Sequence, residues 1–140
     1  MSTELASRHL PDPDWPVARP FWEGCARREL RIPRCRGCGR FVWYPAPLCA
    51  ACGGTDHEWT PVSGRGRLFT WVTVQRAFLP GYVERLPYVT ALVELEEDAR
   101  VRLATFLRDV PPGGPRPGMP VEVVFEPVTD RLTLPAFRCL

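Results

Sequence analysis

Four cysteines stand in two pairs, Cys35-x-x-Cys38 and Cys49-x-x-Cys52. Each pair offers two thiolates from one tight turn, and the two together supply the four ligands of a tetrahedral metal shell. Glycines adjoin the second cysteine of each pair, as Gly37-Cys38-Gly39 and Cys52-Gly53-Gly54, which is the permissive backbone such turns need. With four thiolates no position is left open for water, so the expected site is structural rather than catalytic. A redox Cys-x-x-Cys would stand alone beside a βαβ pattern, and none is present. Zinc is the first expectation for this donor set; iron takes four thiolates as well.

The rest of the sequence offers little other chemistry. Cys25 and Cys139 fall outside the paired spacing and read as small buried hydrophobes. The two histidines are His9, near the N-terminus, and His57, just after the second cysteine pair. Four cysteines suffice without His57, which reads as a surface residue. There is no nucleophile elbow, Walker loop, dinucleotide fingerprint or HExxH pattern. Gly64-Arg65-Gly66 is too short for a phosphate loop and reads as a strand-entry turn or bulge. Glu94, Glu96, Glu97 and Asp98 read as a solvated strand end with its hairpin turn. All 18 basic residues are arginine, so no lysine is available for Schiff-base chemistry. The chain is expected not to be a catalyst by itself.

One charge feature rises above the background. Arg27, Arg28, Arg31, Arg34, Arg36 and Arg40 lie in a stretch with a single acid, Glu29, and Phe21, Trp22, Trp43 and Tyr44 flank it. Arginine beside aromatics suits phosphates with a stacked base, which fits single-stranded nucleic acid or the nucleotide end of coenzyme A. The same residues could equally form a solvated basic face whose aromatics pack one module on another. A formal net charge of only +2 disfavours nucleic acid, whose affinity leans on phosphate neutralisation.

These groups must be held by something, and 140 residues suffice for one domain, or one domain and a small module. The first residues lack the apolar core of a signal peptide, and no apolar run is long enough to span a bilayer; a cytoplasmic protein, with reduced thiols, is the expectation. Residues 1–29 read as a loose proline-containing arm and a short helix from Pro20 to about Leu30, with Phe21, Cys25 and Leu30 on one face. Residues 30–58 read as a zinc ribbon with a short hairpin through Phe41 to Pro47. In residues 59–140, the runs Arg67 to Gln75, Tyr88 to Leu95, Val101 to Leu107 and Val121 to Phe125 alternate at the period of strands and are rich in β-branched and aromatic residues. Ser63-Gly64, Pro80-Gly81, Glu97-Asp98 and the Pro111-Pro112-Gly113-Gly114 run supply the breaks. About five short strands after a ribbon predict a small barrel of the OB type, and a mainly β chain.

Taken in order, these residues resemble the DUF35 family. The marks are Arg19-Pro20-Phe21-Trp22, Cys35-Arg-Gly-Cys38-Gly39, Pro45 and Pro47 before Cys49-Ala-Ala-Cys52-Gly53, and Ser63-Gly64-Arg65-Gly66. Pro87-Tyr88-Val89, Gly118-Met119-Pro120-Val121 and the ending Leu134-Pro135-Ala136-Phe137-Arg138 continue the series. The resemblance implies an N-terminal helical segment, a rubredoxin-like zinc ribbon and an OB-fold. It further implies a non-catalytic companion of thiolase-like enzymes, thiolases or aldolases acting on acyl-CoA thioesters, including those of steroid side-chain degradation. On that footing Arg27, Arg28, Arg31 and Arg36 are candidates for the phosphates of acyl-CoA, and Phe21 and Trp22 for apolar contact. The implied partner is a thiolase-like enzyme in a two-plus-two assembly. Phe78, Leu79, Pro80, Tyr82, Val83 and Leu86 crowd one long connection and are the expected docking surface; the alternative is that this loop covers the open end of its own barrel.

Overall fold

The computed structural model describes residues 9–140; the start of the predicted arm lies outside them. From Asp12 the chain makes a turn in which Asp14 pairs with Arg131. Helix α1 (Arg19–Ala26) follows, with a proline in its first turn, where its missing N–H costs nothing. It buries Phe21, Gly24 and Cys25. The predicted helix extended to Leu30, but the chain turns left-handed at Arg28 (φ 60°), where Arg28 and Glu29 close the helix by donating to the Cys25 and Gly24 carbonyls. Leu30 instead leads into a strand, its carbonyl accepting from Val62 N–H at 2.9 Å.

Strand β1 (Arg31–Cys35) pairs antiparallel with β2 (His57–Pro61), Ile32 opposite Thr60 and Cys35 opposite His57. Between them lie the two cysteine turns. The predicted hairpin through Phe41 to Pro47 is reduced to one bridge, Phe41 against Arg34, because the returning chain follows β1 rather than itself: Val42 N–H donates to the Pro33 carbonyl at 2.8 Å.

Strands β3 (Arg65–Val74), β4 (Tyr88–Leu95), β5 (Asp98–Arg108), β6 (Pro120–Pro127) and β7 (Thr133–Cys139) form a closed barrel in the order β3-β4-β5-β7-β6. All neighbours run antiparallel except β5 and β7, which meet in parallel at Leu107–Phe137 and Arg108–Arg138. This is the five-stranded Greek-key architecture of an OB-fold, and closure leaves no exposed sheet edge to aggregate. The strand alternation delivers Ala91, Val93 and Leu95 of β4, Val101, Leu103 and Leu107 of β5, and Phe137 and Cys139 of β7 to the interior. Leu30 and Ile32 join the same core with Phe21 and Cys25, so helix, ribbon and barrel are welded by one apolar cluster.

The long connection from β3 to β4 divides between the two expectations for it. A 3-10 turn (Pro80–Arg85) carries Tyr82 inward, where it stacks near Tyr88 and Phe106, while Phe78 and Val83 stay exposed, at 85% and 57%.

Candidate functional site

The two cysteine turns are built on one plan. Strand β1 ends on Cys35, whose carbonyl accepts from Gly39 N–H at 2.8 Å and whose N–H donates to the Arg40 carbonyl at 2.8 Å. Cys49 repeats both bonds with Gly53 (2.8 Å) and Gly54 (2.9 Å). Gly39 and Gly53 hold φ of 79° and 76°, which side chains resist, and so turn the backbone back beneath the sulfurs. The four sulfurs lie within 4.8 Å of one another, with Cys35 to Cys52 at 3.5 Å and Cys38 to Cys49 at 3.7 Å. A tetrahedron with Zn–S bonds of about 2.3 Å has edges of about 3.8 Å, so the donor set fits zinc. The cradle is close: a Cβ on Gly54 would stand 3.1 Å and 3.2 Å from two of the sulfurs.

Protonation agrees with a site made for a cation. Backbone N–H groups of Cys52 and Ala51 hold the Cys49 thiol down to about 6. Cys52 receives the Gly54 N–H, yet the neighbouring Cys35 and Cys38 thiols drive it up to about 11. Crowded thiolates cannot all ionise without a compensating positive charge. His57 contributes no ligand; its Nε2 lies 2.9 Å from the Gly54 carbonyl and braces the second turn. Cys25 is fully buried and its thiol is pushed up to about 12 by that burial, the opposite of an activated nucleophile. Burial, then Asp109, raises Cys139 as well.

Two of the four arginines predicted to hold a ligand's phosphates already have carboxylate partners. Arg31 pairs with Glu29, Arg36 with Asp56 at 3.3 Å, and Arg34 donates to the Gly39 carbonyl and lies over the Phe41 ring. Arg27 and Arg28 are exposed where α1 ends. Phe21 and Trp22, by contrast, line a groove of about 1070 Å³ between the arm, α1, the Trp43–Tyr44 segment that joins the two cysteine turns, and strands β3, β4, β5 and β7. Its walls are aromatic, with Trp15, Trp43, Tyr44, Trp71 and Phe106, and Asp12 is its one charged residue. A smaller notch of about 360 Å³, containing Arg40, Asp98 and Arg100, lies on the other side of Trp43 and Tyr44.

Residues 22–58 match the family described as ChsH2, rubredoxin-like zinc ribbon domain, and residues 59–126 match ChsH2, C-terminal OB-fold domain. A DUF35 domain-containing scaffold protein of Methanocaldococcus jannaschii is 33% identical over 69% of this chain and 67% of its own length. Among solved structures, the chain from an Ltp2-ChsH2(DUF35) aldolase overlays with a TM-score of 0.81 at 31% identity, covering 92% of this chain and 98% of that one. The chain belongs to the DUF35 family. A 3-oxo-4,17-pregnadiene-20-carboxyl-CoA hydratase alpha subunit of Mycobacterium tuberculosis is 35% identical over 75% of this DUF35 chain. This chain spans about a third of the length of the hydratase alpha subunits it matches.

The groove of this DUF35 protein is the feature that sequence reasoning missed. Phe21 and Trp22 are expected to make apolar contact with acyl-CoA, but nothing in their immediate sequence shows the groove that they line. The usable signal was composition: four of the five tryptophans, Trp15, Trp22, Trp43 and Trp71, line this one surface.

Proposed function

We propose that this DUF35 protein is a companion subunit that assembles with a thiolase-like aldolase or a hydratase subunit and helps hold acyl-CoA thioesters, as in steroid side-chain metabolism. The observation that carries this reading is the overlay of nearly the whole chain on the DUF35 chain of an aldolase complex, at 31% identity and a TM-score of 0.81. Relatives named as scaffold proteins and as hydratase alpha subunits support it. The zinc ribbon has a structural role, its four thiolates leaving no open coordination position. On this reading the chain supplies no chemistry of its own, which the burial that raises the Cys25 thiol supports. Arg27 and Arg28 are the phosphate candidates without carboxylate partners among the described residues, whereas Arg31 and Arg36 would have to exchange theirs for a ligand. The groove's lack of arginine weighs against single-stranded nucleic acid, which needs cations along its path. No described helix is long and apolar enough to cross a membrane.

The test is co-expression with the thiolase-like protein encoded nearest to it, followed by size-exclusion chromatography with light scattering. The expected species is a two-plus-two complex. Separate elution of two folded proteins at micromolar concentration, with and without acyl-CoA, overturns the reading for that partner. Phe78→Glu with Val83→Glu is expected to break the complex at unchanged zinc content, because both side chains project from the β3–β4 connection.

A further inference from the structure

We infer that the aromatic groove receives the acyl body of a bulky acyl-CoA thioester, with the coenzyme passing over Tyr44 to Arg40. The inference rests on the companion-subunit reading above and assigns that ligand a place and a direction. Three observations lead to it. The groove, at about 1070 Å³, has the scale of a small-molecule site, and its charge is confined to Asp12 in the arm. Rigid flat rings such as Trp22, Trp71 and Phe106 give a large contact area at little entropic cost, which suits an apolar, polycyclic or long-chain group and is wasted on a phosphate.

The second observation is continuity with positive charge. Trp43 and Tyr44 belong to both the groove and the arginine-edged notch. In that notch Arg100 is engaged by both oxygens of Asp98, at 3.0 Å and 2.9 Å. Arg40 makes no direct ion pair among the described residues, though its charge, with that of Arg100, helps hold the Asp98 carboxyl down. An apolar trough that opens past an aromatic sill onto a notch with two guanidiniums, one of them in no direct ion pair, matches a ligand that is apolar at one end and polyanionic at the other. A nucleic acid would require cations inside the trough.

The third is that the sill can yield. Trp43 Nε1 is a buried donor with no hydrogen-bond partner among the described residues. Its ring is therefore held by packing alone, against Phe21 and Tyr44, and no polar bond opposes a shift that admits an occupant.

The experiment measures binding of a steroid-carboxyl-CoA, octanoyl-CoA, acetyl-CoA and free CoA to the zinc-loaded full chain, alone and in its complex. Intrinsic fluorescence reports occupancy, since four of the five tryptophans line the groove. The bulky thioester is expected to bind at least about tenfold more tightly than acetyl-CoA or CoA. Ala104 and Thr70 are exposed positions on the groove wall, on β5 and β3. Ala104→Arg, and independently Thr70→Arg, should erase that preference while leaving CoA affinity unchanged. Arg40→Glu should weaken every CoA species by a similar factor and preserve the preference. Equal affinity for all four ligands, or a preference that survives both groove variants, overturns the inference. So does loss of the partner complex in both groove variants with acyl preference intact, which would make the groove a protein seat. A complex that forms without acyl preference refutes only this inference; acyl preference without any complex refutes only the companion-subunit reading.

Discussion

Gly66→Ala tests how the barrel is closed. Gly66 lies opposite Leu95 of β4 on one side and Val121 of β6 on the other. A Cβ there would sit 2.2 Å from the backbone oxygen of Glu94 and 3.1 Å from Val93 Cγ1. Carbon and oxygen need about 3.3 Å, so β3 and β4 must part locally by about 1 Å, enough to weaken the ladder bonds beside the contact. Overpacking costs about 1–3 kcal/mol and a weakened bond about 1 kcal/mol, giving about 2–4 kcal/mol together. For a chain of 140 residues, about 3–5 °C of melting temperature per kcal/mol makes the expected drop about 6–20 °C. Thermal unfolding by far-UV circular dichroism measures it, with urea titration as a check. Because the obstacle is backbone, the cost should persist in a Val93→Ala background. A loss below about 0.5 kcal/mol, the level of a neutral surface change, or full rescue by Val93→Ala would show that the strands do not meet this closely.

The native protein should carry one zinc per chain by elemental analysis, and Cys52→Ser should lose it. The barrel spectrum should survive, because the buried cluster at the metal, Cys35, Val42 and Cys49, is separate from the main core. The Asp98 carboxyl is held below the usual carboxylate range by hydrogen bonds from Arg100. A depressed folded value stabilises above the unfolded pKa of about 3.9 and ceases to do so as pH falls through the folded value. Urea midpoints of wild type and Asp98→Asn should therefore differ at neutral pH and converge in acid; an undiminished gap in acid would contradict the assignment. Native zinc-loaded protein treated with iodoacetamide at mild alkaline pH should keep Cys25 unmodified by mass spectrometry, since the thiol is both buried and raised to about 12.

The parts readable from sequence are those determined locally. Two cysteine turns and four alternating runs announce themselves within a few residues, and β4 (Tyr88–Leu95) has the bounds expected from its alternation. β7 was hidden by Pro135 in its middle. The proline is tolerated because β5 pairs only with Phe137 and Arg138, so no ladder bond to β5 is lost at Pro135. The helix end was misjudged because Arg27, Arg28, Glu29 and Leu30 favour helix well enough in isolation; pairing of β1 with β2 overrode them. The partners of the arginines were not legible either: Arg31 and Arg36 hold Glu29 and Asp56, and Arg34 donates to the Gly39 carbonyl. The groove left only its tryptophans as a sign in the sequence, without their arrangement. Its walls come from the arm, α1, the Trp43–Tyr44 segment between the cysteine turns and four barrel strands, and only tertiary folding brings these together.

The shared core has a consequence for how such a protein can be cut and joined. Family matches divide the chain between residues 58 and 59, yet Leu30 and Ile32 from before that division are packed among Val93, Val121 and Phe137 from after it. A chimera that exchanges the ribbon alone inherits a foreign plug for the barrel and must be repacked, whereas a junction upstream of α1 leaves the plug intact. The metal turns therefore ride on the barrel as a fixed outrigger rather than on a hinge, and the unit of inheritance is the pair.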